Sequence, residues 1–227
     1  MLYVFVLLLS ILCFGSVGAE HSAKESAALA RQLVADATLG DISTVMSGPI
    51  GDAKVADHPF VTPEYVADDG NGNLLVYLVT WGTHAQNQKQ NKAASISLAS
   101  ADFTRPPPTS RGSLDEARVS LIGSLERISD DEEIAVARQV FLSRHPDAAF
   151  FPHSTAYFRL VPAAIRWIGG FGDRHFNGWV PLDLYRGANA PAPSAAASIT
   201  NPAPQYLPRT RPLRLQNRNS GSAVARV

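Results

Sequence analysis

The sequence predicts a mainly β domain of the α+β class, a six- to seven-stranded antiparallel barrel with helices packed outside it or between strands. Three observations carry that expectation. Apolar residues recur at every second position in several short runs, the period of half-buried strands. These runs follow one another through turns, with no regular strand-helix-strand alternation, which favours a barrel over a doubly wound sheet and leaves a sandwich as the alternative. Two capping-box patterns, Ser22-Ala-Lys-Glu25 and Ser129-Asp-Asp-Glu132, mark the starts of just two substantial helices.

The first helix is expected from residue 22 to about 38, because Ala30, Leu33, Val34 and Ala37 share one face and Gly40 suits the left-handed residue after a last turn. Ile42, Thr44 and Met46 then alternate with polar neighbours and predict a strand, followed by a Gly- and Asp-rich loop at 48–58. A second strand is expected over 60–67, with Pro63 pointing to an edge or a bulge. The turn Asp68-Asp-Gly-Asn-Gly-Asn73 joins it to a third strand at 74–80. The polar stretch 83–92 reads as one or two helical turns before a strand at 94–99. Arg105-Pro-Pro-Pro-Thr-Ser-Arg111 is a loop, and Val119, Leu121, Gly123 and Leu125 alternate again. The second helix should run on Ile134, Ala137, Val140 and Phe141 and stop at His145-Pro146. Two last strands are expected at 156–161 and 165–171, separated by Pro162-Ala-Ala, with Pro181, Leu184 and Tyr185 closing the ordered part.

Residues 1–19 hold no charge and carry an apolar run from Leu2 to Phe14, too short for a bilayer, which needs roughly 20 apolar residues. Small residues follow, with Val17 and Ala19 where signal peptidase reads, so a signal peptide cut near Ala19 is expected, an uncleaved anchor being the other reading. The expected domain is 20–186, destined for the secretory-pathway lumen, whether extracellular or lysosomal or vacuolar, with no membrane association after cleavage. Cys13 is the only cysteine and lies in the segment to be removed, which excludes disulfides, a Cys nucleophile and thiolate metal sites from the mature chain. From 187 to 227 the chain is Ala, Pro, Ser and Asn with five Arg and no acid, and reads as a disordered tail. Residues 20–186 hold fifteen Lys or Arg against twenty Asp or Glu, a net charge of minus five, which argues against nucleic acid as a partner.

Two stretches stand out chemically. Thr80-Trp-Gly-Thr-His84-Ala-Gln-Asn87-Gln-Lys89 sets hydroxyl, imidazole, amide and ammonium donors just after a strand, a combination that holds a phosphate or serves as an ordinary polar connection. Trp167-Ile-Gly-Gly-Phe-Gly172 places three glycines at a strand end, where a flat ligand or another backbone can approach closely, or where a barrel corner turns. Six histidines show no metal-ligand spacing, and no nucleophile elbow occurs, so neither a metal centre nor a hydrolase is supported.

Taken in order, several pieces resemble the CREG family within the FMN-binding split-barrel, pyridoxamine 5'-phosphate oxidase-like superfamily. They are Ala30-Arg-Gln-Leu-Val-Ala35, Leu75-Val-Tyr-Leu78, residues 87–97, Gly123-Ser-Leu-Glu-Arg-Ile128, Arg144-His-Pro-Asp147, Tyr157-Phe-Arg-Leu160 and Ile165-Arg-Trp-Ile-Gly-Gly-Phe-Gly172. The resemblance implies a split β-barrel, a homodimer with flavin sites between subunits, and export. It puts the FMN phosphate on Thr80, Thr83, His84 and Asn87, with Lys89 beside them, and Gly169, Gly170 and Phe171 near the isoalloxazine ring. Oxidases of the superfamily use Arg and Lys at the phosphate, where this chain has Ala85 and Gln86. Three functions therefore stay open. The first is a secreted protein acting through binding, with an FMN-type pocket retained or vestigial. The second is an FMN-dependent oxidoreductase, and the third, less favoured, is haem binding.

Overall fold

The computed structural model describes residues 22–100, 116–170 and 175–188. The expected leader, the 105–111 loop, Phe171 and the tail from 189 lie outside the described residues. Seven strands form one antiparallel sheet in the order β3-β2-β1-β4-β5-β6-β7, and a further pairing of β3 with β6 closes six of them into a barrel. The strands are β1 (Leu39–Val45), β2 (Pro59–Asp68), β3 (Leu74–Val79), β4 (Ala93–Ala99), β5 (Arg118–Arg127), β6 (Thr155–Ile168) and β7 (Asn177–Val180). The helices are α1 (Ala23–Asp36), α2 (Thr83–Gln90), α3 (Asp131–Arg144) and α4 (Leu182–Gly187). The expected mainly β barrel with flanking helices is the fold observed.

Alternation decides what fills the barrel. Ile42, Ile96, Leu121 and Ile165 lie in register across four neighbouring strands and are fully buried, so the residues between them face outward. Ala27, Ala30 and Val34 of α1 and Ala85 of α2 join this inner core. A second core lies outside the barrel, where Ala137 and Phe141 of α3 pack on Ala67, Leu75 and Tyr157. Arg144, at the end of α3, donates to the carbonyls of Ala35 and Asp36 at 3.1 and 2.7 Å, binding the last turn of α1 to α3.

Four local expectations are corrected. The first helix ends on Ala37 with extended backbone angles, and Gly40 lies inside β1. The second helix is capped by Asp130, whose carboxylate accepts from the Glu132 and Glu133 backbone; an acidic Ncap beats the neighbouring serine at a helix N-terminus because the dipole favours its charge. The two last strands are one fourteen-residue strand, β6. Pro162 does not break it, because the ladder is irregular there: Ile122 pairs with Ala164 and Gly123 with Pro162, leaving Ala163 as an extra residue in a bulge that needs no N–H from proline. Gly123 is required at this point, since a Cβ would come 2.0 Å from the Val161 carbonyl oxygen. The fourth correction is that residues 177–187 form a strand and a helix. Pro63 meets its expectation of an edge: β3 pairs with β2 over Val66–Asp68, beyond Pro63.

Candidate functional site

Helix α2 sits at one end of the barrel and presents two different faces. Gly82 is its N-cap and offers no side chain, so the first-turn N–H groups have no side-chain acceptor. His84 and Asn87, three residues apart, turn toward β1 and β2. Ala85, Gln88 and Lys89 turn the other way, toward the ends of β3 and β5, where they line a small open cleft with Thr80, Arg127 and Phe158.

The first face is closed. Asn87 Nδ2 donates to Thr44 Oγ1 at 2.9 Å, and Thr44 Oγ1 lies 2.9 Å from His84 Nδ1. His84 Nε2 lies 2.8 Å from Thr62 Oγ1, which in turn donates to Glu64 at 3.2 Å. Each threonine has one hydroxyl proton. Thr62 gives its own to Glu64 and so accepts from His84 Nε2–H, while Thr44 accepts from Asn87 and gives its proton to His84 Nδ1. The network thus fits a neutral imidazole protonated on Nε2. Burial lowers the His84 pKa to about 4 and raises that of Glu64, with the Thr62 hydrogen bond opposing the rise at Glu64. Asn87 Oδ1 accepts from the Ser47 backbone and hydroxyl at 3.1 and 3.3 Å. As placed, neither His84 nor Asn87 has a free polar group for a phosphate; both fasten α2 to the barrel. Thr80 Oγ1 donates to the Ser154 carbonyl at 3.2 Å, and Thr83 is half-buried at the helix start.

Gly169 and Gly170 of the glycine stretch follow β6 at the end where it pairs with β7. Gly169 N–H is within reach of the Phe176 carbonyl at 3.1 Å and Asn177 Oδ1 at 3.0 Å, and Gly170 takes φ of 151°, a region open to glycine. A Cβ on Gly169 would lie 3.0 Å from Trp167 Nε1, a buried N–H without a partner among the described residues. The barrel-corner reading accounts for this glycine.

These two stretches do not meet within one chain. The α2 end follows Val79, which pairs with Thr155 at the start of β6, and Gly169 follows Ile168 at its other end. At about 3.3 Å per residue they are separated by on the order of 40 Å of strand. What sequence reasoning missed are Thr44, Thr62, Glu64, Gln88 and Arg127. Arg127 belongs to the quoted stretch Gly123–Ile128, but its approach to α2 depends on the long-range β5–β6 pairing, which no local pattern announces.

Comparison with known proteins fits this architecture. No curated protein matches the chain. Among solved structures, the heme binding protein from Mycobacterium smegmatis is 24% identical, with a TM-score of 0.57, over 75% of this chain and 62% of that one. A protein of unknown function from Agrobacterium tumefaciens is 21% identical, with a TM-score of 0.53, over 70% and 60% of the two chains. This chain therefore spans about three fifths of either relative, and at such identities the likeness is one of fold. The family model described as "CREG, beta-barrel" matches residues 21–186, the span that holds all seven strands, α1 to α3 and all but the last residue of α4, and the chain belongs to that family.

Proposed function

We propose that this chain acts in the secretory-pathway lumen as a homodimeric binding protein, with a flavin-type site formed between two copies rather than within one. The observation that carries the reading is the position of the two candidate stretches at opposite ends of β6. A twofold axis running across the strands reverses strand direction and sets the α2 end of one copy beside the Gly169 hairpin of the other. The outer sheet face suits such contact. Ser43, Ser95, Ile122 and Ala164 form one outward row, and Ser97, Ser120, Arg166 and Trp179 the next. Ile122 is 41% and Trp179 60% exposed, while α1 and α2 join the inner core and α3 packs elsewhere. Small side chains let two sheets approach closely, and the two large apolar groups supply area to bury.

The residues fit FMN in part. Thr83 and the uncapped N–H groups of α2 suit a phosphate, whereas His84 and Asn87 act behind them as fasteners. Gly169 and Gly170 of the second copy leave room for a flat ring. Bound flavin would supply any redox chemistry, and the chain supplies position and electrostatics. Binding without strong catalysis is favoured because His84 of α2 and Glu64 of β2 are held in a closed hydrogen-bond chain. The haem alternative gains nothing from His84, whose two ring nitrogens are both taken. Destination in the secretory pathway rests on the apolar leader and on a mature chain free of cysteine.

Fluorescence titration with FMN tests the reading. Wild type is expected to bind FMN, and Ile122→Glu, which buries a charge in the contact, is expected to be a folded monomer with affinity reduced at least about tenfold. Undiminished binding by a monomeric Ile122→Glu contradicts a two-chain site.

A further inference from the structure

We infer that Asn71 is a site of spontaneous isoaspartate formation, and that the modification loosens the attachment of α4 to the barrel. Five asparagines are described, and two of them, Asn71 and Asn177, precede a glycine. A following glycine matters because no Cβ shields its nitrogen from the asparagine side chain. The surroundings then separate the two. Asn177 lies in β7, and its Oδ1 accepts from the Gly169 N–H at 3.0 Å. Asn73 Nδ2 donates to Asp69 at 2.9 Å, Asn87 is bonded at both ends of its amide, and Asn91 Oδ1 accepts from the Ala93 N–H at 2.9 Å. Asn71 alone of the five combines an exposed side chain with an amide that bonds no described residue. It lies in the β2–β3 turn, where the Asp68 and Asp69 carboxylates hold the backbone N–H groups of residues 70–73 and leave the Asn71 side chain outside.

The reaction needs only water. The Gly72 nitrogen, once its proton has passed to solvent, attacks Asn71 Cγ; a C–N bond forms, the Cγ–Nδ2 bond breaks and ammonia leaves. Water then opens either carbonyl of the cyclic imide, giving aspartate or isoaspartate. The bond that holds the Gly72 N–H is long, 3.2 Å to Asp68 Oδ1, an oxygen that also accepts from the Gly70 N–H at 3.2 Å and from Arg31 at 3.4 Å. Isoaspartate routes the main chain through the side-chain carbons, which lengthens the turn by a methylene and leaves a new carboxylate beside Asp68 and Asp69. Gly72 has no slack to absorb it. A Cβ there would lie 2.8 Å from the Tyr185 ring and 3.0 Å from Arg31 Nη1, and the Gly72 carbonyl accepts from the Tyr185 hydroxyl at 2.8 Å. Tyr185 is the buried residue of α4, so a displaced Gly72 deprives α4 of its hydrogen bond to the turn.

Peptide mass spectrometry of the folded full chain, aged at mildly alkaline pH, tests the inference. Asn71 is expected to convert at least about tenfold faster than Asn177, because the hydrogen-bonded strand has to open before Asn177 can react. In denaturant, where that difference in structure is gone, the two Asn-Gly pairs are expected to convert within about threefold of each other. Hydrogen exchange reads the consequence. Chain enriched in isoaspartate at position 71 is expected to exchange the amides of α4 at least about tenfold faster, whereas Asn71→Asp, which adds the charge without the extra methylene, stays within about twofold of wild type. Asn71→Ser, which cannot form the imide, is expected to age with no change in α4. Equal native rates at Asn71 and Asn177, a preference for Asn71 that persists in denaturant, or unchanged α4 exchange in the isoaspartate form overturns the inference.

Discussion

His84 sits at the centre of a hydrogen-bond chain, Asn87 to Thr44 to His84 to Thr62 to Glu64, whose hydroxyl protons leave room for one proton on the imidazole. A second proton would land on Nδ1, facing the hydroxyl that donates to it, and would place a charge in a buried site. The consequence for stability follows from its sign. The folded pKa, about 4, lies below the ordinary value of 6.5, so the unfolded chain takes up the proton first as pH falls. The stability contribution is complete above pH 6.5 and is lost as pH drops toward 4. The difference corresponds to about 3 kcal/mol at the acid end, at 1.36 kcal/mol per pKa unit. His84→Gln keeps a donor and an acceptor but does not titrate. Urea unfolding at pH 7.5 and pH 4 should show wild type losing about 3 kcal/mol more than His84→Gln, and equal losses would sink the assignment. This residue also marks a limit of sequence reading: its polar neighbours in the chain suggested an outward-facing donor set, but Thr44 and Thr62, which engage it, lie on two other strands.

Elements that carry their own local signal were legible, and those that depend on distant partners were not. The capping box at Ser22, the Asp68–Asn73 hairpin and the alternation of β1, β4 and β5 are written within a few residues each. The continuity of β6 was not, since the bulge that admits Pro162 is made by Gly123 on β5. Strand β7 and helix α4 were missed because they are short and owe their place to long-range contacts. Tyr185 of α4 is fully buried and donates to the Gly72 carbonyl at 2.8 Å, and burial raises its hydroxyl pKa to about 12, which keeps it a donor. Arg31 of α1, 1% exposed, lies over the Tyr185 ring and bonds Asp68 at 3.2 and 3.4 Å. Three elements thus share one charged latch. Asp68→Ala strands the buried guanidinium and should cost about 3 kcal/mol or more in chemical denaturation, whereas Tyr185→Phe should cost about 1 kcal/mol. A loss below about 1 kcal/mol for Asp68→Ala would mean that the latch is not a main fastening of α1 and α4.

For the whole molecule, closure of β3 on β6 removes the edges of a six-stranded barrel, while β6 runs on past β3 to pair with β7. That overlong strand separates the α2 end from the Gly169 hairpin and leaves an outer face of small residues. On the two-chain reading proposed above, one chain carries the halves of a flat-ligand site at its two extremes, and a second copy unites them. Sedimentation velocity followed at the flavin absorption, about 450 nm, addresses this most directly because it reads ligand and assembly in one signal. With FMN added, the bound flavin absorbance should sediment with a species of twice the mass of one chain. Flavin that travels with a single chain, or that remains entirely free beside a well-formed dimer, would contradict the two-chain site.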